Sequence, residues 1–437
     1  MRHLVFLIEK ALIYFLTQEE KMKQSLHRKL SLFLMALLIL TIIGCSAPTK
    51  EGKMENSAKS AETQSSEKEP AKTEEKVEPK VEEKEESKTE NQTEEIVIID
   101  MAGREVRLPK TAKVALTDSP TTQRLYTYIN GLNDLVGVSA RDAKNLTNRP
   151  YALANPQILE MKSFAGGYFI EDWEAVLLAK PDVIFADQSD ASMYDKIQAQ
   201  TGCPVVALDY GSGVVFDPKL YQSLELIGKV MGKEARAKEV VAFMEGLKKD
   251  LQDRTKDIPE SERKNVYAAG LAWNGPHGIE GTRENYPIFD VIHANNVVKG
   301  IGKDGLVEVD KEQILKWNPE FIFIDLASIH LIQADYLKNK EYYQNLDAFK
   351  NKKVYAQLSF VWCDINIDTA MGIGYYVGKI VYPEKFADID PVEKVNEIYT
   401  FLVGKPVYDE LAKTTFGGYQ EVTMEALDAN TYFKEKK

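Results

Sequence analysis

One pattern occurs twice in this chain and constrains its fold more than any other. Glu174 to Asp187 reads EAVLLAKPDVIFAD, and Glu312 to Asp325 reads EQILKWNPEFIFID. Each copy opens on Glu, continues as a short amphipathic run, stops at a proline and closes with an apolar run ending in Asp. Proline has no N–H to donate and clashes with the preceding turn, so a helix has to end before Pro181 and before Pro319. The apolar run that follows has the length and composition of a buried strand. Each copy is therefore a helix feeding a buried strand. Two copies that agree at Glu, Leu, Pro, Ile, Phe and Asp predict two lobes of similar construction.

The surrounding chain fits that plan. Ile96 to Asp100 with Gly103 to Val106 reads as a hairpin, and Val114 to Leu116 as the first core strand. Ser119 suits a helix cap and Pro120 the first turn of a helix running to about Asn130. Leu135 to Ser139 reads as the next strand with Arg141 just beyond it, and Gly166-Gly167-Tyr168 as a permissive loop before the first repeat copy. Val205 to Leu208, entered through Pro204, is a further buried strand. Strands alternating with helices, and apolar throughout rather than alternating, indicate an α/β fold with a mostly parallel sheet covered on both faces. Ligands of such folds sit beyond the carboxyl ends of the strands, which directs attention to Ser119, Arg141, Tyr168, Asp187 to Ser192 and Tyr210.

Tyr221 to about Asp257 is helical, broken at Gly232. Beyond the break Val240, Phe243, Met244, Leu247 and Leu251 recur at helical spacing, which predicts a helix long enough to act as a strut between lobes; an ordinary surface helix of the first lobe is the alternative. The second lobe opens at Asn265 to Ala269 and passes through Trp273 and Gly275 to Gly278. After the second repeat copy it continues with the strand Lys353 to Ala356, the segment Phe360 to Cys363 and C-terminal helices. Tyr375, Tyr376, Tyr382, Tyr399 and Phe401 in those helices read as core.

The 437 residues carry a net charge of -12 and no basic stripe beyond the first residues, which argues against nucleic acid as a partner. Lys23, His27, Arg28 and Lys29 precede the apolar run Leu30 to Ile43, short for a membrane span and suited to a signal-peptide core. It ends in Ile42-Ile43-Gly44-Cys45, which resembles a bacterial lipobox and implies acylation of Cys45; a membrane anchor with an incidental cysteine is the alternative. Met22 begins a more ordinary signal peptide than Met1 does. Ser46 to Glu95 is nearly all Glu, Lys, Ser, Thr and Pro, the composition of a solvated tether. The expected organisation is a lipoprotein signal peptide over 1–45, a charged tether over 46–95, a first α/β lobe over 96–217, a connecting helical region over 218–262 and a second α/β lobe over 263–437.

Taken together these features resemble the substrate-binding lipoproteins of ABC importers for iron-siderophore, haem and cobalamin. The likeness covers about Asp100 to Gly404. It is carried by Asp100, Gly103 to Val106, Leu108-Pro109, Leu178 to Ala186, Gly275 to Ile279, Val309 to Phe323 and Asn345 to Tyr355. The resemblance implies two Rossmann-like lobes joined by one long α-helix, with the ligand cleft between them. It implies a lipid-anchored protein on the outer face of the cell membrane that captures a metal chelate, foremost a ferric siderophore, and delivers it to an ABC permease with its ATPase. Haem, cobalamin or another metal complex is the alternative cargo. It also implies that Glu174 and Glu312 dock to the permease, against the plain reading of first-turn residues favoured by the helix dipole. Bulky anionic cargo wants Arg and aromatic walls, and Arg141, Tyr168, Trp273, Arg283 and Trp362 are the candidates by position.

Two rival classes fit less well. A receptor for a bare metal ion needs three or four converging ligands, whereas the mature chain offers only His277, His293 and His330, with His293 read as part of a helix. A ligand-borne metal completed by His277 or His330 stays open. An enzyme is not expected: no nucleophile elbow, HExxH or CxxC occurs, and no resident cofactor or metal is implied. Cys203 and Cys363, one in each lobe, read as separate buried thiols.

Overall fold

The computed structural model describes residues 95–433, except 140, 143–147, 165–168, 170, 188, 189, 212–214, 304 and 362–364. The expected signal peptide, Cys45 and most of the tether lie outside the described residues. The described chain enters as an antiparallel hairpin of β1 (Glu95–Ile99) and β2 (Glu105–Pro109). Asp100 holds its turn: one carboxylate oxygen accepts from the Ala102 and Arg104 N–H groups and the other pairs with the Arg104 guanidinium at 2.7 Å. β3 (Ala115–Thr117) follows, then α1 (Pro120–Asn130). Ser119 caps α1 through a reciprocal bond with Thr122, which satisfies N–H groups that the first turn leaves without partners.

The first repeat copy forms α2 (Trp173–Ala179) and β4 (Val183–Ala186). Asp172 caps α2, its Oδ1 accepting from the Ala175 N–H at 3.0 Å, and Lys180 ends it in the left-handed region at φ 50°. Pro181 then forbids further helix. After α3 (Ser192–Thr201) comes β5 (Val205–Ala207), and the parallel sheet runs β3-β4-β5 with the repeat strand central. Leu135 to Ser139 is not a strand of this sheet. Val136 donates to the Ala115 carbonyl while Val138 donates to the Lys162 carbonyl, so the segment divides its bonds between two neighbours and makes only isolated bridges.

Two helices follow, α4 (Pro218–Met231) and the 22-residue α5 (Glu234–Thr255), separated at Gly232, which takes φ 65°. At 1.5 Å per residue α5 is about 33 Å long. Its buried stripe of Ala237, Val240, Met244, Leu247 and Leu251 packs on helices from both sides of the chain. Arg236 near its start donates to the Tyr128 carbonyl of α1. Farther along, Asp250 accepts from Tyr375 at 2.9 Å and Arg254 pairs with Asp388 at 2.6 Å. Phe243 stacks on Phe401 with ring centroids 4.0 Å apart and both are partly buried against the core, whereas Tyr375, Tyr376, Tyr382 and Tyr399 are within it.

The second sheet runs β12-β11-β10-β6-β8, parallel except for β12. Its strands are β6 (Asn265–Ala269), β8 (Asn295–Asn296), β10 (Phe321–Asp325), β11 (Val354–Gln357) and β12 (Gln420–Glu421). A separate ribbon pairs β7 (Gly281–Arg283) with β9 (Leu306–Glu308). The second repeat copy forms α6 (Lys311–Trp317) and β10, with Asn318 left-handed at φ 41° before Pro319, and again its strand is central. α7 (Ile329–Lys338), α8 (Ile367–Val381) and α9 (Pro391–Val403) complete the main helices. One expectation is corrected here. His293 is not helical: the short helix Pro287–Val291 has already ended, and His293 turns the chain at φ 50° while Nδ1 bonds the Thr255 hydroxyl of α5 at 2.9 Å.

Candidate functional site

The carboxyl ends of the parallel strands mark where a ligand meets this fold. In the first sheet they deliver Asp118 and Ser119 after β3, Asp187 after β4, and Asp209 and Tyr210 after β5. The Ser119 hydroxyl donates to Asp187 Oδ1 at 2.6 Å, joining the ends of neighbouring strands. Met101, Asp187, Tyr194, Asp209 and Tyr210 line a pocket there. A separate buried cluster is built around Asp142, which accepts from Arg149 at 2.8 Å, from the Tyr151 hydroxyl at 2.6 Å and from Ser139. Burial pushes the Asp142 carboxyl up despite the Arg149 charge next to it. Next to Arg149 in sequence, the Asn148 carbonyl accepts from the Asn366 amide at 2.9 Å.

In the second sheet Asp325 closes β10 and is fully buried. It accepts from the Ala327 N–H at 2.9 Å, the Ser359 hydroxyl at 3.3 Å and the Ala272 N–H at 3.4 Å, and burial pushes its pKa up to about 6. The loop beyond β6 carries Trp273, which is 49% exposed and stacks on His277 with an interplanar angle of 17°. His277 Nε2–H donates to the Trp273 carbonyl at 2.7 Å, and Nδ1–H to Glu308 at 2.9 Å. These acceptors raise the His277 pKa, the Trp273 carbonyl most and Glu308 next. Trp273, His277, Lys303, Leu306, Val307 and Glu308 line an open groove.

Of the ligand-wall candidates, Trp273 stands in this groove. Arg141 is exposed beyond the first sheet, and its carbonyl accepts from Arg149. Arg283 is half-buried on β7, where its charge partly offsets the rise that burial imposes on the Asp290 carboxyl. Tyr168 and Trp362 lie outside the described residues. Lys303 and Glu308 had no local signal in the sequence, because only the long-range pairing of β7 with β9 brings them beside Trp273.

Metal ligation by His277 meets an obstacle, since both ring nitrogens are engaged as donors. His330 is half-buried on the first turn of α7. Among the described residues no group of three or more His, Cys, Asp or Glu side chains could hold a metal ion. The buried Cys203 thiol donates to the Pro181 carbonyl at 3.1 Å and burial pushes its pKa up to about 12; Cys363 lies outside the described residues. Glu174 and Glu312 are both exposed at the second residue of their helices. No helix among the described residues is long and apolar enough to cross a membrane.

Comparison with known proteins agrees with this architecture. A family model described as periplasmic binding protein matches residues 143–357. The molybdate-binding protein MolA of Haemophilus influenzae is 26% identical over 324 residues, 69% of this chain and 89% of that protein. YvrC of Bacillus subtilis, an uncharacterized ABC transporter substrate-binding lipoprotein, is 26% identical over 60% of this chain and 77% of its own. Among solved structures, molybdate-bound MolA superposes with a TM-score of 0.56 at 23% identity, covering 71% of this chain and 98% of that one. The TroA-like FepB of Veillonella parvula does so with a TM-score of 0.53 at 22% identity, covering 71% and 97%. These likenesses are to binding proteins, and over residues 143–357, just under half of its length, the chain is similar to the periplasmic binding protein family.

Proposed function

We propose that this receptor captures an anionic metal complex, a ferric siderophore in the first instance, on the outer face of the membrane. The observation that carries the reading is the groove beyond β6, where a half-exposed indole backed by the hydrogen-bonded His277 ring shares the lining with Lys303. An apolar π-face with the Lys303 charge in the same groove suits a bulky anionic chelate, because ring and cation can both contact it. Arg141 and Arg283 would add charge, and Tyr168 and Trp362 further walls. Cys45 would carry the lipid anchor. Glu174 and Glu312 would present paired negative charge to the permease.

A second reading has its own support. The relative named for molybdate shares 26% identity over most of its length, and a small oxyanion also needs cationic and hydrogen-bonding groups. Native mass spectrometry of protein purified from its own host separates the two. An added mass carrying iron and an organic chelator is the expected result. A bare oxyanion would replace the siderophore reading with the molybdate-like one.

A further inference from the structure

The loop that presents Trp273 is built more tightly than an exposed loop requires. The Trp273 N–H donates to the Gly275 carbonyl at 2.8 Å, and the His277 N–H to the Ser328 hydroxyl at 3.0 Å. A Cβ on Gly281 would stand 2.5 Å from the His277 Cβ, so the backbone on either side of the histidine is packed close. The imidazole then bridges two elements: Nε2 reaches back to the Trp273 carbonyl and Nδ1 across to Glu308 on β9. Both acceptors lack protons to give, so the bridge needs an N–H on each nitrogen.

We infer that protonated His277 is a positioning residue that fixes the Trp273 wall by tying its loop to β9, and that the wall loosens when the imidazole loses a proton. The inference rests on the reading of Trp273 as a wall of the ligand groove. A neutral imidazole has one N–H for two acceptors, so either the Glu308 contact or the Trp273 carbonyl is given up and the bridge is broken in both cases. The titratable and charged groups on the elements around it are Glu280 in its own loop, Glu308 on β9, Lys303 before β9, Lys311 on α6, and Asp325 and His330 on either side of Ser328. Lys311 is paired with Glu280 at 3.4 Å and with Asp335 at 2.6 Å, and Asp325 is buried behind the loop, which leaves Glu308 as the carboxylate in contact with the ring.

The Trp273 carbonyl and Glu308 both hold the proton on folded His277, so its pKa lies above the ordinary 6.5. The ordering of the loop is therefore complete below that value and is lost as pH rises through the folded pKa. Weakening of a ligand held by Trp273 would be about 2- to 12-fold, the range for a rotamer-rich side chain that must be immobilised on binding.

The test uses the ligand-free protein with acrylamide as probe. Emission of the parent minus that of Trp273→Phe isolates this indole, and quenching is followed from about pH 5 to about pH 9 across the histidine range. The expected result is a rise in quenching with a midpoint above 6.5, coincident with the His277 ring titration followed by NMR. Glu308→Gln, an exposed substitution, moves the midpoint down, and His277→Gln removes the pH dependence. Quenching that is flat with pH in the parent, or that keeps the same midpoint in Glu308→Gln and His277→Gln, overturns the inference. Because no cargo is present, failure of the siderophore reading leaves this outcome unaffected, and intact cargo binding with flat quenching refutes the inference alone.

Discussion

The two repeat copies share a local code and differ in what surrounds it. α2 and α6 are each seven residues long, each carries Glu at its second position, and each ends in a left-handed residue before proline. Each feeds the central strand of its sheet. The aspartates that close those strands then part company. Asp187 stands half-exposed with the Ser119 hydroxyl on Oδ1, whereas Asp325 is fully buried among three donors. The helix surfaces differ too: Leu177 and Leu178 are 51% and 80% exposed on α2, where α6 has half-buried Leu315 and exposed Lys316. Local sequence sets helix, stop and strand; the neighbours packed around them set the chemistry.

The largest contrast should be in stability. Asp325→Ala leaves buried N–H and hydroxyl donors without an acceptor and is expected to cost about 3 kcal/mol, against about 1 kcal/mol for Asp187→Ala, where water can replace the lost oxygen. Urea denaturation of both variants measures it. Equal losses would mean that the burial difference has no energetic weight.

The same contrast has a pH signature. Folded Asp325 holds its proton up to about 6 against an ordinary 3.8, because burial penalises the carboxylate. Its contribution is therefore fully present below 3.8 and is lost as pH rises through about 6. Relative to Asp325→Asn, the parent should lose about 2 to 3 kcal/mol across that window, at 1.36 kcal/mol per pKa unit. A parent that gains on the Asn variant as pH rises would reverse the account of this carboxyl.

A smaller effect separates the helix starts. Asp172 caps α2 through its side chain, but Asp310 makes no side-chain cap to α6. Asp172→Ala should cost about 1 kcal/mol, the usual worth of a cap. Asp310→Ala should lose only the helix-dipole attraction, about 0.3 kcal/mol. Thermal unfolding of the pair decides between them.

What was legible in the sequence was mostly local. Pro181 and Pro319 stop helices by covalent geometry, and Ser119-Pro120 caps α1 with its own atoms, so short windows sufficed. The apolar stripe of α5 was visible at helical spacing, and only Phe243 left it, to stack on Phe401. The segment Leu135 to Ser139 misled because its composition is that of a strand while its bonding depends on Ala115 and Lys162, neither adjacent in sequence. His293 misled in the same way: the helix around it ends two residues early and the ring finds Thr255 on α5. In the candidate site Trp273 was readable as an aromatic beyond a strand. Its partnership with His277, Glu308 and Lys303 was not, because it depends on the pairing of β7 with β9.

The repeat also bears on function, and here the energies are smallest. Glu174 and Glu312 are exposed at equivalent positions, and single exposed charge contacts are worth about 0.2 to 1 kcal/mol, more where an interface desolvates them. The most direct test of the receptor account is to measure ligand affinity and uptake side by side for Glu174→Ala, Glu312→Ala and the double variant, in membranes that hold the permease. The account predicts unchanged affinity in all three, with uptake falling in each single variant and further in the double one. Loss of ligand binding in either single variant, with the fold intact by circular dichroism, would put the repeated glutamates in the ligand cleft and contradict it.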